Sequence, residues 1–261
     1  MDRNIKVVIL CGGLGARMKE ETEFRPKPLV NVGDKPILWH IMKLFAFYGY
    51  RNFILCLGYK GELIKEYFLK FRALNNDFSI NLSDRKKITF YNEEDDYDWN
   101  VTLAGTGTDT PTGGRIKHIE KYIDTERFFV TYGDGLSNIN LDKLMKTHCK
   151  HRKTATMTGV HPISRYGVID HEKERITAFQ EKPLLEGYIN GGFFLFERKV
   201  FDYLDKSSVL ETDGVDSLIR DGQIGLYRHD GFWRSIDTFK DAQMLNRMYR
   251  DNEKPWMIWK P

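Results

Sequence analysis

Residues 6–28 read KVVILCGGLGARMKEETEFRPKP, and this stretch decides the fold. The apolar run Lys6–Leu10 has the length of a buried strand, and Gly12, Gly13 and Gly15 follow it closely. Glycines let backbone N–H groups approach an oxyanion because no side chain stands between them. The pattern therefore predicts a strand that leads into a phosphate-binding loop.

Two cations follow the glycines. Arg17 comes directly after the loop, and Lys27 lies between Pro26 and Pro28, which prevent a regular helix there. A guanidinium and an ammonium supply the positive charge that a triphosphate needs. The alternative is an ordinary strand-to-helix turn with two solvated cations. The combination favours a nucleotide site, and it differs from the smooth helix start of a dinucleotide-binding dehydrogenase.

The bulk composition limits the class of protein. With 261 residues, of which 41% are hydrophobic and 30% charged, the chain can bury one substantial core, and we predict one domain. The formal net charge is +3 and no block of like charges occurs, which argues against nucleic acid as a partner. The first apolar segment is too short for a signal peptide, and no later run has the length of a membrane span. Three cysteines without paired spacing predict reduced thiols in a cytoplasmic protein.

Two strand–helix units follow the glycine-rich stretch. The spacing of apolar residues predicts a helix over Ile37–Phe47, a buried strand over Asn52–Leu57 and an amphipathic helix over Leu63–Phe71. Successive units of this kind imply a parallel sheet with right-handed crossovers. Ligands of such sheets gather at the carboxyl ends of the strands. The loop Gly58–Gly61 is thus a candidate pocket wall, and a plain connecting loop fits it equally well.

Three further stretches are interpreted from their polarity. Residues 72–98 are polar and irregular, so we predict a solvated surface loop, with a partner contact or a mobile flap as alternatives. Tyr166–Asp170 and Ile176–Gln180 have the pattern of a hairpin laid over the sheet. The tail Lys254–Pro261 is apolar and is expected to pack on the body of the protein or on a neighbouring subunit.

A second glycine-rich stretch, AGTGTDTPTGGRIK, covers residues 104–117. Arg115 directly follows Gly113 and Gly114, so its fork can reach a ligand that lies across the strand ends. Cytosine offers two adjacent acceptors, O2 and N3, whereas uracil and thymine present an N3–H at that place. An arginine here favours CTP as the ligand. The alternatives are an exposed residue at the start of a helix and an arginine that contacts phosphate instead of base.

Two aspartates stand out as carboxylates near strand ends. The buried-strand pattern FFVTYGDG, Phe128–Gly135, carries Asp134 between two glycines, which leaves its carboxylate uncovered. Mg²⁺ takes one or two carboxylates together with phosphate oxygens and water. By itself, an Asp between glycines is more often a turn former. Asp237 follows the stretch FWRSI, and its alternative role is to cap a predicted helix over Phe239–Tyr249.

Taken together, these motifs resemble the sugar-phosphate nucleotidylyltransferases. GGLGARM with RPKP resembles the general signature of that family. The pieces KPILWHIM, LGYKGELIKEYF, WNVTL, TGGRIK, YGDG, FQEKP, INGGFF and FWRSIDT are similar to its glucose-1-phosphate cytidylyltransferase branch, in order from Val7 to Trp259. The chain departs from the family at Cys11 and Ala16, where Ala and Thr are expected, and at Gly214, where the branch has Pro. The first two departures affect fine positioning in the loop, and the third affects the identity of the sugar.

The resemblance implies an α/β fold with a Rossmann-like, mostly parallel sheet flanked by helices and a small β-hairpin insertion for sugar binding. This is the glycosyltransferase-A-like nucleotidyltransferase fold. It implies one domain over residues 1–261, with a nucleotide-binding half over about 1–150 and a sugar-phosphate-binding, C-terminal half over about 151–261. The nucleotide-binding positions that it implies are Leu10, Gly12, Gly13, Gly15, Arg17, Lys27, Thr110 and Arg115.

The resemblance also assigns the other ligands. Asp134 and Asp237 would hold Mg²⁺ as a pair, although the sequence separates them widely. Lys182 would anchor the acceptor phosphate, with Glu181, Asn190 and Gly191 beside the sugar. The alternatives are that Lys182 is a solvated residue at a hairpin tip and that Asn190 is a turn residue at a strand end. Glu211 is either a partner of a sugar hydroxyl or a helix cap.

The implied reaction joins CTP and α-D-glucose 1-phosphate to give CDP-glucose and diphosphate. Arg17 and Lys27 would be catalytic, the first on the leaving diphosphate and the second bridging phosphates. Two alternatives stay open: a cytidylyltransferase for another phosphorylated sugar or polyol, and a regulatory subunit that binds a nucleotide sugar without turnover. The resemblance and the apolar tail together suggest a homo-oligomer.

Overall fold

The first strand, β1 (Lys6–Cys11), lies at the centre of the structure. The computed structural model describes residues 3–15, 18, 23–91, 97–164 and 166–259. After its first residue, every residue of β1 is buried. It pairs in parallel with β4 (Asn52–Leu57) on one side and with β8 (Arg127–Tyr132) on the other. A strand that is buried on both faces reads as a continuous apolar run, which is the pattern of this segment.

The described residues form a mixed sheet of seven strands in the order β14, β10, β13, β8, β1, β4, β7. Four of its six strand pairings are parallel, and β13 alone runs opposite to its two neighbours. The predicted mostly parallel α/β sheet is thus confirmed. The four remaining strands are β7 (Asn100–Gly105), β10 (Ala155–Val160), β13 (Ile189–Glu197) and β14 (Ile224–His229).

Helices pack beside this sheet. The first, α1, spans the predicted range Ile37–Phe47 and buries most of its length, with Phe45 against the rings of Phe129 in β8 and Phe193 in β13. Such aromatic burial is a large apolar contribution to the core. The other helices are α2 (Gly61–Leu69), α3 (Phe71–Asn75), α4 (Thr112–His118), α5 (Leu141–His151), α6 (Val215–Arg220) and α7 (Phe239–Arg250).

The prediction of an irregular loop over residues 72–98 is wrong for most of its length. After α3, the chain forms a two-stranded hairpin of β5 (Asp77–Asn81) and β6 (Asp84–Tyr91). Apolar residues alternate with polar ones here, and Phe78 pairs with Phe90 across the ladder. This alternation is the signal of a strand, and the many polar residues around it concealed it. Residues 92–96, four of which are acidic, lie outside the described residues.

The predicted hairpin over Tyr166–Asp170 and Ile176–Gln180 is confirmed. It consists of β11 (Val168–Glu172) and β12 (Arg175–Gln180), which pair antiparallel and are exposed along almost their whole length.

The apolar tail packs on the body of the protein, which is one of the two placements predicted for it. Trp256 is 1% exposed and contacts the rings of His40 and Phe232. Among the described residues, no helix combines the length and apolar character needed to cross a membrane.

The tail should contribute strongly to stability. Replacing the buried indole in Trp256→Ala should lower the free energy of unfolding by about 3–5 kcal/mol, because a large cavity opens against two rings. Urea unfolding measures this change. Tyr166→Ala is the control, because Tyr166 is exposed and its loss should change the free energy of unfolding by less than about 0.5 kcal/mol. Equal effects in the two variants would contradict a structural role for the tail.

Candidate active site

A cavity of about 540 Å³ opens at one edge of the sheet. The parallel strands β1, β4, β7 and β8 all end at this edge, and the antiparallel strand β13 begins there. The topology therefore collects loops from distant parts of the sequence at one place. The predicted site residues that line the cavity are Leu10, Gly12, Gly13, Gly15, Lys27, Thr110, Arg115, Asp134 and Asp237.

A short antiparallel ladder brings the two aspartates together. Strand β9 (Gly135–Ser137) directly follows Asp134, and it pairs with β15 (Trp233–Ser235), which ends just before Asp237. The amide N–H of Ile236 also donates to the carbonyl oxygen of Asp134 at 2.9 Å. The ladder closes a gap in sequence of about a hundred residues, so both carboxylates face the same cavity.

Lys27 lies between these carboxylates. Its Nζ atom donates to Oδ2 of Asp134 at 2.6 Å and to Oδ1 of Asp237 at 3.0 Å. The side chain is 13% exposed, and the two carboxylates are also mostly covered. An ion pair with this little solvent is screened much less than one on the surface. The three charges form the polar floor of the cavity.

The alternative that Asp237 caps the following helix is wrong. Thr238 is the N-cap of α7, and it forms a capping box with Asp241. The Oδ2 atom of Asp237 instead accepts a hydrogen bond from Ser235 Oγ at 3.0 Å. Because the helix is capped by other residues, the Asp237 carboxylate is directed to Lys27 and the cavity.

The paired carboxylates fit a divalent cation. Both already converge on one cation, the Lys27 ammonium, so their nearer oxygens are no further apart than the sum of those two contacts. Hard carboxylate oxygens are the ligands that Mg²⁺ takes, and it completes its octahedron with phosphate oxygens and water. Within the described residues, no group of three or more His, Cys, Asp or Glu side chains could hold a metal on its own. The donor set therefore suits an ion that arrives with phosphates.

The sequence predicted that the Arg115 guanidinium could reach a ligand, but in the structure its terminal nitrogens bind protein oxygens. Arg115 is 4% exposed, which also rules out the alternative of a solvated helix residue. Its Nη1 atom donates to Thr106 Oγ1 at 2.7 Å and to the carbonyls of Leu57 and Gly107, and Nη2 donates to the carbonyls of Gly12 and Thr108. Burial lowers the pKa of this guanidinium. These acceptors replace its lost hydration, so Arg115 joins the loops after β1, β4 and β7.

The same contact explains two of the glycines. A Cβ atom on Gly12 would collide with the Arg115 guanidinium, and one on Gly58 would lie 2.6 Å from its Nη1 atom. Gly13, by contrast, faces open space. The glycine at position 12 is thus required by the approach of a buried side chain, whereas Gly13 leaves backbone open to the cavity.

Sequence reasoning missed Tyr132 as part of the site. Its hydroxyl donates to Glu211, and the other oxygen of Glu211 accepts from Thr112 Oγ1 at 2.6 Å. Burial, and after it the negative charge of Glu211, raise the pKa of the Tyr132 phenol, so it stays a donor. Asn190 donates to the Tyr132 oxygen at 3.3 Å. The position of Tyr132 as the last residue of a strand that ends at the cavity was the available signal.

The predicted sugar-phosphate residues lie on another part of the same edge. Glu181 and Lys182 directly follow the hairpin strand β12; they form an ion pair at 3.3 Å, and the Lys182 side chain is 51% exposed. Asn190 and Gly191 begin β13, and the carbonyl of Gly191 accepts from Trp233 Nε1 at 2.8 Å. None of these four residues lines the cavity. Arg17 and Ala16 lie outside the described residues.

The two buried cysteines, Cys11 and Cys56, are not suited to nucleophilic chemistry. Cys11 lines the cavity, yet burial raises the pKa of its thiol well above the usual range. Burial also raises the pKa of Cys56 to about 12. A thiol with a raised pKa is protonated near neutral pH and is a poor nucleophile. The chemistry of the cavity therefore depends on its charges and backbone groups.

Comparisons with known proteins agree with this geometry. The chain matches the model of the nucleotidyl transferase family over residues 6–251, and it belongs to that family, as its motifs predicted. Within the family, it is 39% identical over 258 residues to the glucose-1-phosphate cytidylyltransferase of Salmonella typhi, covering 98% of this chain and all of the relative. It is 44% identical over 257 residues to a Bacillus subtilis protein named "Probable glucose-1-phosphate cytidylyltransferase", with the same coverage.

A solved structure has the same fold. The crystal structure of HddC from Yersinia pseudotuberculosis superposes with a TM-score of 0.67 at 24% sequence identity, and the match covers 94% of this chain and 99% of that one. At this identity the likeness concerns the fold alone. The predicted nucleotidyltransferase fold is confirmed by the family match and this superposition together.

Arg115 should stabilise the three loops through its fork. Arg115→Lys keeps the charge but cannot reach carbonyls on separate loops, so we expect a loss of at least about 2 kcal/mol in the free energy of unfolding, because buried acceptors lose their donors. Urea unfolding measures this loss. The control is Arg228→Lys, because Arg228 is exposed and the change should lower the free energy of unfolding by less than about 0.5 kcal/mol. A neutral Arg115→Lys variant would rule out this structural role.

Proposed function

We propose that this chain transfers a cytidylyl group from CTP to the phosphate of α-D-glucose 1-phosphate, giving CDP-glucose and diphosphate. The observation that carries the proposal is the position of Lys27 between Asp134 and Asp237, at the floor of a cavity whose rim is a glycine-rich strand end. The choice of CTP and glucose 1-phosphate is supported by full-length relatives with that activity in their names.

The reaction needs positioning more than proton transfer. A sugar phosphate is already an anion near neutral pH, since the second pKa of a phosphomonoester is about 6. One of its oxygens attacks the α-phosphorus of CTP in line, the bond from that phosphorus to the bridging oxygen breaks, and diphosphate leaves. The protein must hold two mutually repelling anions together and compensate their charge. A cavity lined with a lysine, backbone amides and two carboxylates suits this task.

Each residue at the floor of the cavity has a proposed role. The open backbone beside Gly13 and Gly15 would bind the triphosphate, and Lys27 would contact phosphate oxygens as negative charge develops. Arg17 retains its sequence-based role on the leaving diphosphate. Asp134 and Asp237 would hold Mg²⁺, whose contribution when bound is to neutralise phosphate charge and to align the phosphates.

Base recognition is proposed to depend on the loops that Arg115 holds. Because the terminal nitrogens of its guanidinium already donate to protein oxygens, pairing with cytosine O2 and N3 would require it to exchange some of these partners. We therefore assign Arg115 to nucleotide binding through its effect on the loop Thr106–Thr110. Thr110 lines the cavity, and its hydroxyl donates to the Thr106 carbonyl at 2.6 Å within that loop.

The acceptor is proposed to bind between the cavity and the β11–β12 hairpin. Lys182 is exposed with Glu181 as its present counterion, so an acceptor phosphate could replace that carboxylate. Tyr132 lines the cavity and Asn190 donates to its hydroxyl oxygen at 3.3 Å, so these two residues would offer a phenol and an amide to sugar hydroxyls. The assembly into a homo-oligomer stays a prediction from the sequence resemblance.

The nucleotide preference tests the proposed reaction directly. With glucose 1-phosphate and Mg²⁺, diphosphate release should be at least tenfold faster with CTP than with UTP, dTTP, ATP or GTP, the scale of one good hydrogen-bond discrimination. A coupled diphosphate assay measures all five nucleotides in parallel. The product is checked as CDP-glucose by mass spectrometry.

Other outcomes of this assay have definite meanings. Turnover with dTTP or UTP in place of CTP would keep the chemistry and overturn the assignment of the base. Turnover with CTP only when another sugar phosphate or a polyol phosphate is supplied would overturn the assignment of the acceptor. Silence with every nucleotide and acceptor would favour the regulatory subunit without turnover.

Loss of Lys27 should remove most of the turnover, while the chain should still fold. Lys27→Ala should lower kcat by roughly 10²–10³, the scale for loss of one preorganised charge or donor. Lys70→Ala removes an equal charge from an exposed i,i+4 pair and should leave kcat within about twofold. Circular dichroism checks that both variants are folded. A Lys27→Ala enzyme with near-normal kcat would exclude the proposed role.

A further inference from the structure

The Lys27 ammonium occupies the place where a cation would bind both aspartates. We propose that Lys27 is the resident cation of this carboxylate pair, and that it leaves the pair when a divalent ion enters together with the nucleotide's phosphates. The proposal rests on the proposed function, and it concerns how the two cations share one position. It predicts that the free protein binds divalent ions weakly and that the nucleotide makes this binding tight.

Lys27 and a divalent ion would compete for the same carboxylate oxygens. Lys27 Nζ lies 2.6 Å from Asp134 Oδ2 and 3.0 Å from Asp237 Oδ1. Mg²⁺ binds carboxylate oxygens directly, at about 2.0–2.1 Å, so an ion that bound these two oxygens would take the acceptors that the ammonium now uses. The second oxygen of Asp237 already accepts from the Ser235 hydroxyl at 3.0 Å. An approach from that side would therefore displace another donor.

Charge leads to the same conclusion. Among the described residues, the Asp134 and Asp237 carboxylates and the Lys27 ammonium together carry a net charge of −1, and all three groups are mostly covered. Adding a divalent ion beside the ammonium would place like charges in contact where solvent screens them little. If the ammonium leaves, the two positive charges of a divalent ion balance the two negative charges of the carboxylates. The exchange is then favourable only when the departing ammonium finds another anion.

The phosphates of a nucleotide supply that anion. Lys27 lines the same cavity as the open backbone of the glycine-rich loop, so its ammonium can move from carboxylate to phosphate without leaving the cavity. The phosphates also provide the remaining oxygen ligands that the two aspartates lack. Metal and nucleotide binding are thus linked. The nucleotide provides an anion for the displaced ammonium and further oxygen ligands for the ion, and the ion neutralises the carboxylates that the ammonium leaves.

Only the side chain of Lys27 needs to move. Its backbone lies in a short 3₁₀ turn, Lys27–Leu29, in which Leu29 N donates to the Pro26 carbonyl at 2.8 Å and Val30 N donates to the Lys27 carbonyl at 3.0 Å. The prolines on both sides are buried and restrict the chain. A long methylene stem on a fixed turn can change rotamer while the turn stays in place.

Binding of Mn²⁺ tests the proposal without any turnover. Mn²⁺ is the probe because electron paramagnetic resonance reports the free ion directly. The full chain and its Lys27→Met variant are titrated with Mn²⁺ alone and then with CTP present, without a sugar phosphate. We expect Lys27→Met to bind Mn²⁺ at least tenfold more tightly than the unaltered chain when no nucleotide is present, because the competing charge is gone. CTP alone also binds Mn²⁺, so each titration is compared with the same concentration of CTP without protein. Beyond that background, CTP should tighten Mn²⁺ binding at least tenfold in the unaltered chain and much less in Lys27→Met.

Three variants serve as controls. Lys70→Met makes the same change in net charge at an exposed pair with Glu66, and it should bind Mn²⁺ like the unaltered chain. Lys27→Arg keeps a cation in place and should also keep nucleotide-free binding weak. The double variant Lys27→Met with Asp134→Asn should lose the gained affinity, which shows that the gained site is the carboxylate pair.

Each outcome decides the proposal. Equal Mn²⁺ affinity in Lys27→Met and the unaltered chain would overturn it, as would a gain of the same size in Lys70→Met. If Lys27→Met does not fold, the unaltered chain decides alone, because tight Mn²⁺ binding without CTP would overturn the exchange. These measurements use no reaction, so a failure of the cytidylyl transfer assay and a failure of the exchange are separately visible.

Discussion

One ammonium joins three distant parts of the chain. Lys27 contacts carboxylates that lie 107 and 210 positions further along the sequence, so this ion pair network connects the first loop, the end of β8 and the approach to the last helix. Two carboxylates this close, and this poorly hydrated, would repel each other without a cation. Their positions are set by the β9–β15 ladder, and Lys27 makes the resulting arrangement electrostatically acceptable. The Lys27 ammonium therefore contributes to the stability of the folded state.

The rim of the cavity depends on a second buried cation. Arg115 donates to four carbonyls that lie at the end of β4 or in the loops after β1 and β7. Two of these carbonyls also accept from a backbone N–H, Leu57 from Thr106 at 2.8 Å and Gly12 from Tyr59 at 3.3 Å. The guanidinium adds a further donor there, and it connects the glycine-rich loop with the loop after β7. Glycine is needed at positions 12 and 58, because a side chain at either place would collide with the Arg115 guanidinium.

The cavity and the β11–β12 hairpin differ in their degree of preorganisation. The cavity is built from buried strand ends and a network of short contacts through Tyr132, Glu211 and Thr112. The residues of the hairpin are mostly exposed, and Lys182 follows its second strand. A two-stranded hairpin with few buried contacts is among the less stable parts of a protein. The structure thus combines a rigid cavity with a more adaptable hairpin.

The sequence was sufficient for the strand–helix order, the glycine-rich loop, the two cations and the family, because these depend on local periodicity and on motifs that are continuous in the chain. It failed over residues 77–91, where an exposed hairpin has too weak an apolar signal. It also missed Tyr132, whose importance comes from neighbours in distant parts of the chain. The directions of two other side chains became visible only in the tertiary structure: Asp237 faces Lys27 rather than capping α7, and the Arg115 fork is held by carbonyls. These directions depend on which strand ends meet at one edge of the sheet and on which hydrogen-bond partners each side chain finds there. The spacing of residues along the chain does not specify either.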